Sequence, residues 1–203
     1  MLLSSLDEVI ELSENAPPEQ RKRYSILRGE ASRINNALIY LLGLYRMQNN
    51  QLAMSLDEVY IADFLEEQLA SQQLLLDVNG VTATIDCDAD LVGYFDEQLV
   101  AGIISNIVVN CAKYTRDSLS LSAKQQDGFL QIAITDNGSG YPQKIIEHLC
   151  NSDRSIDFKS GSTNLGLFFS QQIAALHTCK GRSGYIELSN LDTGGGCFKL
   201  YLP

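Results

Sequence analysis

Between residues 19 and 47 the apolar side chains Leu27, Ala31, Ile34, Leu38, Leu41 and Tyr45 recur at alternating steps of four and three. This is the heptad spacing of a helix that must lay one continuous stripe against other helices. A shorter stripe of Leu3, Leu6 and Ile10 precedes it and is cut off at Ala16-Pro17-Pro18, because proline cannot continue a helix and restricts the residue before it. Residues 1–50 therefore read as a helical hairpin. Two helices cannot bury both seams between themselves, and a four-helix bundle made by two copies of the chain completes the packing. A homodimer through residues 1–50 is the expectation.

From residue 51 the apolar period changes, and a second domain spanning 51–203 is expected. The segment Met54–Tyr60 suits a short strand, although its SLDEV, repeated from residues 5–9, also fits a Ser-x-x-Glu helix cap, so both readings stand. One shared pentapeptide does not make a repeat. An acidic helix is predicted at about 62–73. Strict alternation follows at Val81, Ala83, Ile85 and Cys87, at Leu119, Leu121 and Ala123, and at Leu130, Ile132 and Ile134, which is the signature of half-buried strands. Two further strands, Tyr185–Leu188 and Cys197–Tyr201, flank the turn Gly194-Gly195-Gly196. With helices predicted at about 95–114, 142–150 and 165–177, the second domain is an α/β sandwich, and the whole chain is of the α+β class.

A chain of 203 residues, 45% of them hydrophobic, can bury a proper core. Its net charge of −10 leaves no broad basic surface to neutralise phosphates along a duplex, which argues against nucleic acid as a partner. The five cysteines, Cys87, Cys111, Cys150, Cys179 and Cys197, form no CxxC pair and read as small apolar residues in a reducing cytoplasm. No apolar run approaches the ~20 residues that span a bilayer, and the acidic residue near the start does not suit a signal sequence.

Three segments carry candidate chemistry. In the predicted helix Asp96–Tyr114, Leu99, Ile103, Ile107 and Cys111 form an apolar stripe, while Asn106, Asn110 and Lys113 share another edge at i, i+4 and i+7. Two carboxamides and an ammonium on one edge suit metal-bound phosphates, the Asn oxygen completing a Mg²⁺ shell and the Lys adding positive charge; a solvated face would look the same. The second segment is Thr135-Asp136-Asn137-Gly138-Ser139-Gly140 at a strand end. A carboxylate there can accept a hydrogen bond from an exocyclic amine, and glycines let the backbone approach a flat ring, although a plain turn uses the same residues. The third is Gly161-Ser162-Thr163-Asn164-Leu165-Gly166-Leu167, running into an apolar helix. Its amides suit phosphate or an ordinary cap.

In this order and spacing the three segments closely resemble the ATP-binding domain of sensor histidine kinases in the GHKL ATPase superfamily. NIVVNCAKYT is similar to the family's N box and DNGSG to its first glycine box. STNLGLFFSQQIAALH with the terminal GGGCFKLYLP is similar to its second glycine box and closing strand. The resemblance covers about residues 55–203 and implies a Bergerat-type α/β sandwich with a mixed sheet, preceded by a dimerisation hairpin. It implies Mg²⁺ coordination by Asn110, phosphate contacts from Asn106 and Lys113, a pocket flanked by Tyr114, and adenine recognition by Asp136. Gly138, Gly140, Thr163, Leu165, Gly166 and Leu167 would line the rest. Hydrolysing relatives carry a Glu where this chain has Asn106, and an amide cannot take a proton from water. The implied chemistry is γ-phosphoryl transfer to a histidine, in two-component signalling with a response regulator receiver domain as partner.

The chain departs from the family pattern in places. Ser162 and Asn164 stand where glycine is common, and the segment 149–162 lacks the paired phenylalanines often found there, with Phe158 a partial substitute. The only histidines, His148 and His177, fall in the predicted ATP-binding domain, and structural roles are expected for both. Ser32-Arg33-Ile34-Asn35-Asn36-Ala37-Leu38 resembles an H box with Ser for His, which would make a pseudokinase. The spacing favours instead residues 19–47 as the second hairpin helix, with the phosphoacceptor upstream of Met1, so this chain alone is expected not to autophosphorylate, and no catalytic residue is assigned. The alternative is a pseudokinase or histidine-phosphotransfer-like docking module; an anti-sigma-type serine kinase would not need the hairpin.

Overall fold

The computed structural model describes residues 38, 42, 43, 45, 54–150 and 162–203, with side chains described for 54–149 and 165–203 as well as for the four isolated positions. The chain divides into two units, Met1–Ala53 and Met54–Pro203. In the first, Leu38, Leu42, Gly43 and Tyr45 are helical; the rest of the expected hairpin, with the H-box-like segment at Ser32, lies outside the described residues, as does Phe158.

The second unit is built on a five-stranded sheet. In chain order its elements are β1 (Asp57–Tyr60), α1 (Ile61–Val78), β2 (Thr82–Cys87), β3 (Val92–Phe95), α2 (Glu97–Tyr114), β4 (Ser118–Gln126) and β5 (Phe129–Asp136). There follow α3 (Gln143–Cys150), α4 (Ser162–Leu176), β6 (Thr178–Cys179), β7 (Arg182–Ser183), β8 (Tyr185–Asn190) and β9 (Gly196–Leu202). The large sheet has the order β2-β4-β5-β9-β8. β2 lies parallel to β4 and the other neighbours are antiparallel, so the sheet is mixed, as the resemblance implied.

Alternation decides which face of each strand is buried. Leu121 sits opposite Ile134, Ile134 opposite Phe198 and Ile132 opposite Leu200, and Leu188 and Ile186 extend the same two rows. All of these side chains are buried. Against them pack the inward stripes of the helices: Ile103, Ile104, Ile107 and Val108 of α2 are at most 1% exposed, and Ile173 and Ala174 of α4 are fully buried. Each such aliphatic side chain taken from water contributes about 1.5–3 kcal/mol, so these rows fix which side of the sheet the helices cover.

The β4–β5 connection is a two-residue hairpin in which Asp127 and Gly128 have φ of 53° and 77°. Both central residues of a type I′ turn need positive φ, which an Asp-Gly pair supplies at low cost.

Of the two readings left open for Met54–Tyr60, the strand is the one found, over Asp57–Tyr60, where it pairs antiparallel with β3. Four details differ from the sequence expectation. Strand β3 is one, too short to show a period of its own. Helix α1 runs to Val78, beyond the acidic stretch, because Leu76 is fully buried and extends the apolar stripe. Helix α4 begins at Ser162. The small hairpin β6–β7 was not anticipated, since its four residues are all exposed and carry no pattern.

Candidate functional site

Helix α2 is anchored at its start by Asp96. One carboxylate oxygen accepts the Leu99 N–H at 3.0 Å and the other the Ser55 N–H at 2.9 Å, satisfying orphan donors as a helix cap does. The Asp96 N–H donates to His177 Nε2 at 3.1 Å, and His177 Nδ1 lies 2.9 Å from the Ile173 carbonyl. An accepting Nε2 assigns the proton to Nδ1, so the ring is neutral with both nitrogens engaged. His177 is 2% exposed, and burial lowers its pKa from the ordinary value of 6.5, the Ile173 bond and Asp96 opposing the shift. It links the start of α2 to the end of α4 and faces no open site. His148 is exposed on α3.

Near its other end, α2 meets the loop after β5. Asn137 closes this junction: its Oδ1 is 3.0 Å from the Thr115 hydroxyl and accepts the Arg116, Asp117 and Ser118 N–H groups at 3.2–3.3 Å, while its Nδ2 donates to Asp117 at 2.7 Å. The result is a cavity of about 310 Å³. Asn110, Cys111 and Tyr114 of α2 line it on one side and Asp136 stands in its wall at the end of β5; Ser139, Gly140, Tyr141 and Pro142 of the loop and Ile145 of α3 complete the described lining. That volume is at the small end of the range for small-molecule sites.

The Asp136 carboxylate is held from below. Its Oδ1 accepts the Gly138 N–H at 2.7 Å, and the Cys111 Sγ lies 3.8 Å from its Oδ2. The turn between β8 and β9 comes so close that a Cβ on Gly195, whose φ is +101°, would run into the Asp136 carbonyl, and one on Gly196 would sit 2.8 Å from Oδ2. Only a backbone without side chains fits there. Burial raises the Tyr141 phenol well above its ordinary pKa, with Cys111, Asp136 and Cys197 adding to the shift; burial and then Asp136 do the same to the Cys111 thiol. Both groups stay protonated at neutral pH.

Of the residues singled out in the sequence, Asn110, Tyr114, Asp136 and Gly140 line the cavity. Gly138 lies directly beneath it, bonded to Asp136. Asn106 sits one turn back on α2, where a Cβ on Gly166 of α4 would come within 2.6 Å of its amide; the glycine lets the two helices touch there. Lys113 is exposed, Leu165 half-buried, and Gly166 and Leu167 are buried, and none of these four is part of the described cavity lining. The Thr163 backbone is helical and its side chain lies outside the described residues. Cys111, Ser139, Tyr141, Pro142 and Ile145 were not anticipated as lining. Cys111 was read as core from its place in the apolar stripe; Tyr141 and Pro142 directly follow the glycine box, and that adjacency was the available signal.

A carboxylate, a carboxamide and two aromatic rings around a narrow slot suit a flat heteroaromatic ring bearing an amino group, with polar extensions toward Asn110. The sequence matches the family described as histidine kinase-, DNA gyrase B- and HSP90-like ATPases over residues 95–203. A sensor-like histidine kinase, SenX3 of Mycolicibacterium smegmatis, is 26% identical over 99% of this chain and 53% of its own length. Among solved structures, the Acinetobacter baumannii histidine kinase AdeS has a TM-score of 0.65 at 17% identity, covering 99% of this chain and 92% of that one. Full-length ShkA, solved in complex with AMPPNP, has a TM-score of 0.72 at 19% identity, covering 99% of this chain and 42% of that one. At these identities the structures establish a common fold. The chain spans about half the length of the SenX3 relative.

Proposed function

The chain belongs to the family of histidine kinase-, DNA gyrase B- and HSP90-like ATPases, and from that membership we propose that it is the ATP-binding core of a two-component signalling kinase. The observation that carries this reading is the convergence of Asn110 and Tyr114 from α2 with Asp136 and Gly140 from the end of β5 around one cavity. In it the Asp136 carboxylate accepts the exocyclic amine of adenine, the preference an acceptor-only group imposes. The Gly138 N–H bond holds that carboxylate in place.

The donor set fits a nucleotide-borne metal. Among the described residues no group of three or more His, Cys, Asp or Glu is placed to hold a cation, whereas Mg²⁺ in phosphoryl-transfer sites takes most of its ligands from phosphates and water. Asn110 supplies its amide oxygen to that shell, and Asn106 and Lys113, on the same edge of α2, contact the phosphates. When bound, Mg²⁺ neutralises charge developing on the transferred phosphoryl group. Asn106 cannot act as a general base on water, which disfavours hydrolysis and leaves transfer to a protein side chain as the outcome.

The acceptor is a histidine other than the two in this sequence, because His177 is buried with both ring nitrogens occupied and His148 lies on α3. The phosphoryl group then passes to the receiver domain of a response regulator. A dimerising hairpin at residues 1–50, preceding a catalytic domain at 51–203, belongs to the same proposal and is supported by the heptad spacing of Leu27 to Tyr45. Among the described residues no helix is long and apolar enough to cross a membrane.

The test is calorimetric titration of the chain with Mg-ATP beside Asp136→Asn and Asn110→Ala. Binding that the first substitution abolishes and the second weakens only in the presence of Mg²⁺ supports the reading; no binding of the wild-type chain at millimolar ATP sinks it.

A further inference from the structure

Asp136 has two carboxylate oxygens, and the Gly138 N–H engages only Oδ1. The other, Oδ2, faces the thiol of Cys111 at 3.8 Å. Cys111 lines the cavity beside Asp136, is itself 4% exposed, and sits on α2 one residue beyond Asn110. A Cβ on Gly196 would sit 2.8 Å from the same Oδ2, and Tyr141 lines the cavity beside both residues.

We infer that Cys111 is a positioning residue for base recognition, its S–H donating to Asp136 Oδ2 so that the carboxylate presents a fixed lone-pair direction to the amino group of a purine. This deepens the proposed nucleotide-binding function and rests on it. A thiol is a weak donor, so the contribution is modest, but without it the carboxylate is held at Oδ1 alone. The carboxylate therefore works from two fixed contacts, one from the loop backbone and one from α2. Any shift of α2 relative to β5 is felt at the position that reads the base.

A purely structural thiol and a positioning thiol make different predictions for two ligands that differ by one group. Purine riboside triphosphate has hydrogen where ATP has its amine, so it makes no bond to Asp136. Titration of the full chain with both ligands in the presence of Mg²⁺ is the experiment, with the ratio of the two affinities as readout, so that a general loosening of the pocket cancels. Cys111→Ala is expected to weaken ATP by about three- to tenfold while leaving purine riboside triphosphate within about twofold of wild type. Cys111→Ser, which keeps a donor at the same position, should restore the wild-type ratio. An unchanged ratio in Cys111→Ala, or equal loss of both ligands, overturns the inference while leaving nucleotide binding intact. If the wild-type chain binds neither ligand, the nucleotide-binding reading itself fails and takes the inference with it.

Discussion

The side chain of Asn190, the last residue of β8, grips the backbone of Tyr141 at both ends. Its Oδ1 accepts the Tyr141 N–H at 2.7 Å and its Nδ2 donates to the Tyr141 carbonyl at 2.9 Å. These two bonds join the edge of the sheet to the loop that forms one wall of the cavity. The preceding residue, Gly140, passes under the same amide with a φ of +74°, where a Cβ would stand 2.5 Å from Asn190 Oδ1.

Asn190→Ala removes both bonds and leaves the loop tied only at its start, through Asn137 and Gly138. Each bond is worth about 0.5–1.5 kcal/mol net, so urea denaturation should show a loss of about 1–3 kcal/mol, and calorimetry an ATP affinity about three- to tenfold weaker. Asn190→Asp keeps the acceptor and loses the donor, and its loss should be the smaller of the two.

Gly166→Ala places a methyl group 2.6 Å from the amide atoms of Asn106. Relief requires the Asn106 side chain to turn from its present position or α2 and α4 to part. Overpacking of this kind costs about 1–3 kcal/mol, and because Asn110 lies one turn along α2, ATP binding should weaken as well. The favourable helix propensity of Ala over Gly, about 1 kcal/mol, does not offset it. A melting temperature equal to or above wild type would show that the helices have room to spare.

The pH dependence of stability should carry the signature of His177. Its folded pKa lies below the ordinary 6.5, so as pH falls the unfolded chain takes up a proton before the native one does. More protons on the unfolded state mean that stability rises with pH. The contribution is complete above 6.5 and is lost as pH drops below that value toward the folded pKa, with a slope of up to about 1.4 kcal/mol per pH unit. Denaturation midpoints between about pH 7.5 and 5.5 should therefore fall in the wild-type chain. The fall should be shallower in His177→Gln, which is less stable at pH 7.5 by about 1–3 kcal/mol.

Asp96→Ala strips the start of α2 of its cap and leaves the Ser55 and Leu99 N–H groups without their carboxylate. A loss of about 1–2 kcal/mol is expected by thermal denaturation. Asp96→Asn, which keeps one acceptor oxygen for the Leu99 N–H but turns a donor toward the Ser55 N–H, should recover only part of it.

The sequence already held the elements with a strong period and the polar edge of α2. Alternation at Leu119, Leu121 and Ala123 and at Leu130, Ile132 and Ile134 named β4 and β5 and their buried faces, because a strand packed on one side must alternate. The i, i+4 spacing of Asn106 and Asn110 put both on one edge of a helix by geometry alone, and Asp136 was recognisable at a strand end by its glycines. Strand β3 escaped because four residues carry no periodic signal, and what makes Val92–Phe95 a strand is its pairing with β1, a neighbour over thirty residues earlier.

Other features were settled only when distant segments met. Asn190 is unremarkable in the chain until β8 is laid beside β9 and its amide reaches Tyr141. Cys111 satisfies the apolar stripe of α2 and also faces Asp136, and no one-dimensional pattern separates those roles. Local hydrogen bonding and side-chain period are properties of neighbouring residues, so the sequence by itself determined the long helices and the strands with a clear period, and it singled out Asp136, Asn106 and Asn110 as candidates. Which of them share a cavity, at what distance and against which glycine, depends on the register of the mixed sheet and the approach of α2 to α4, and the tertiary structure alone decided that.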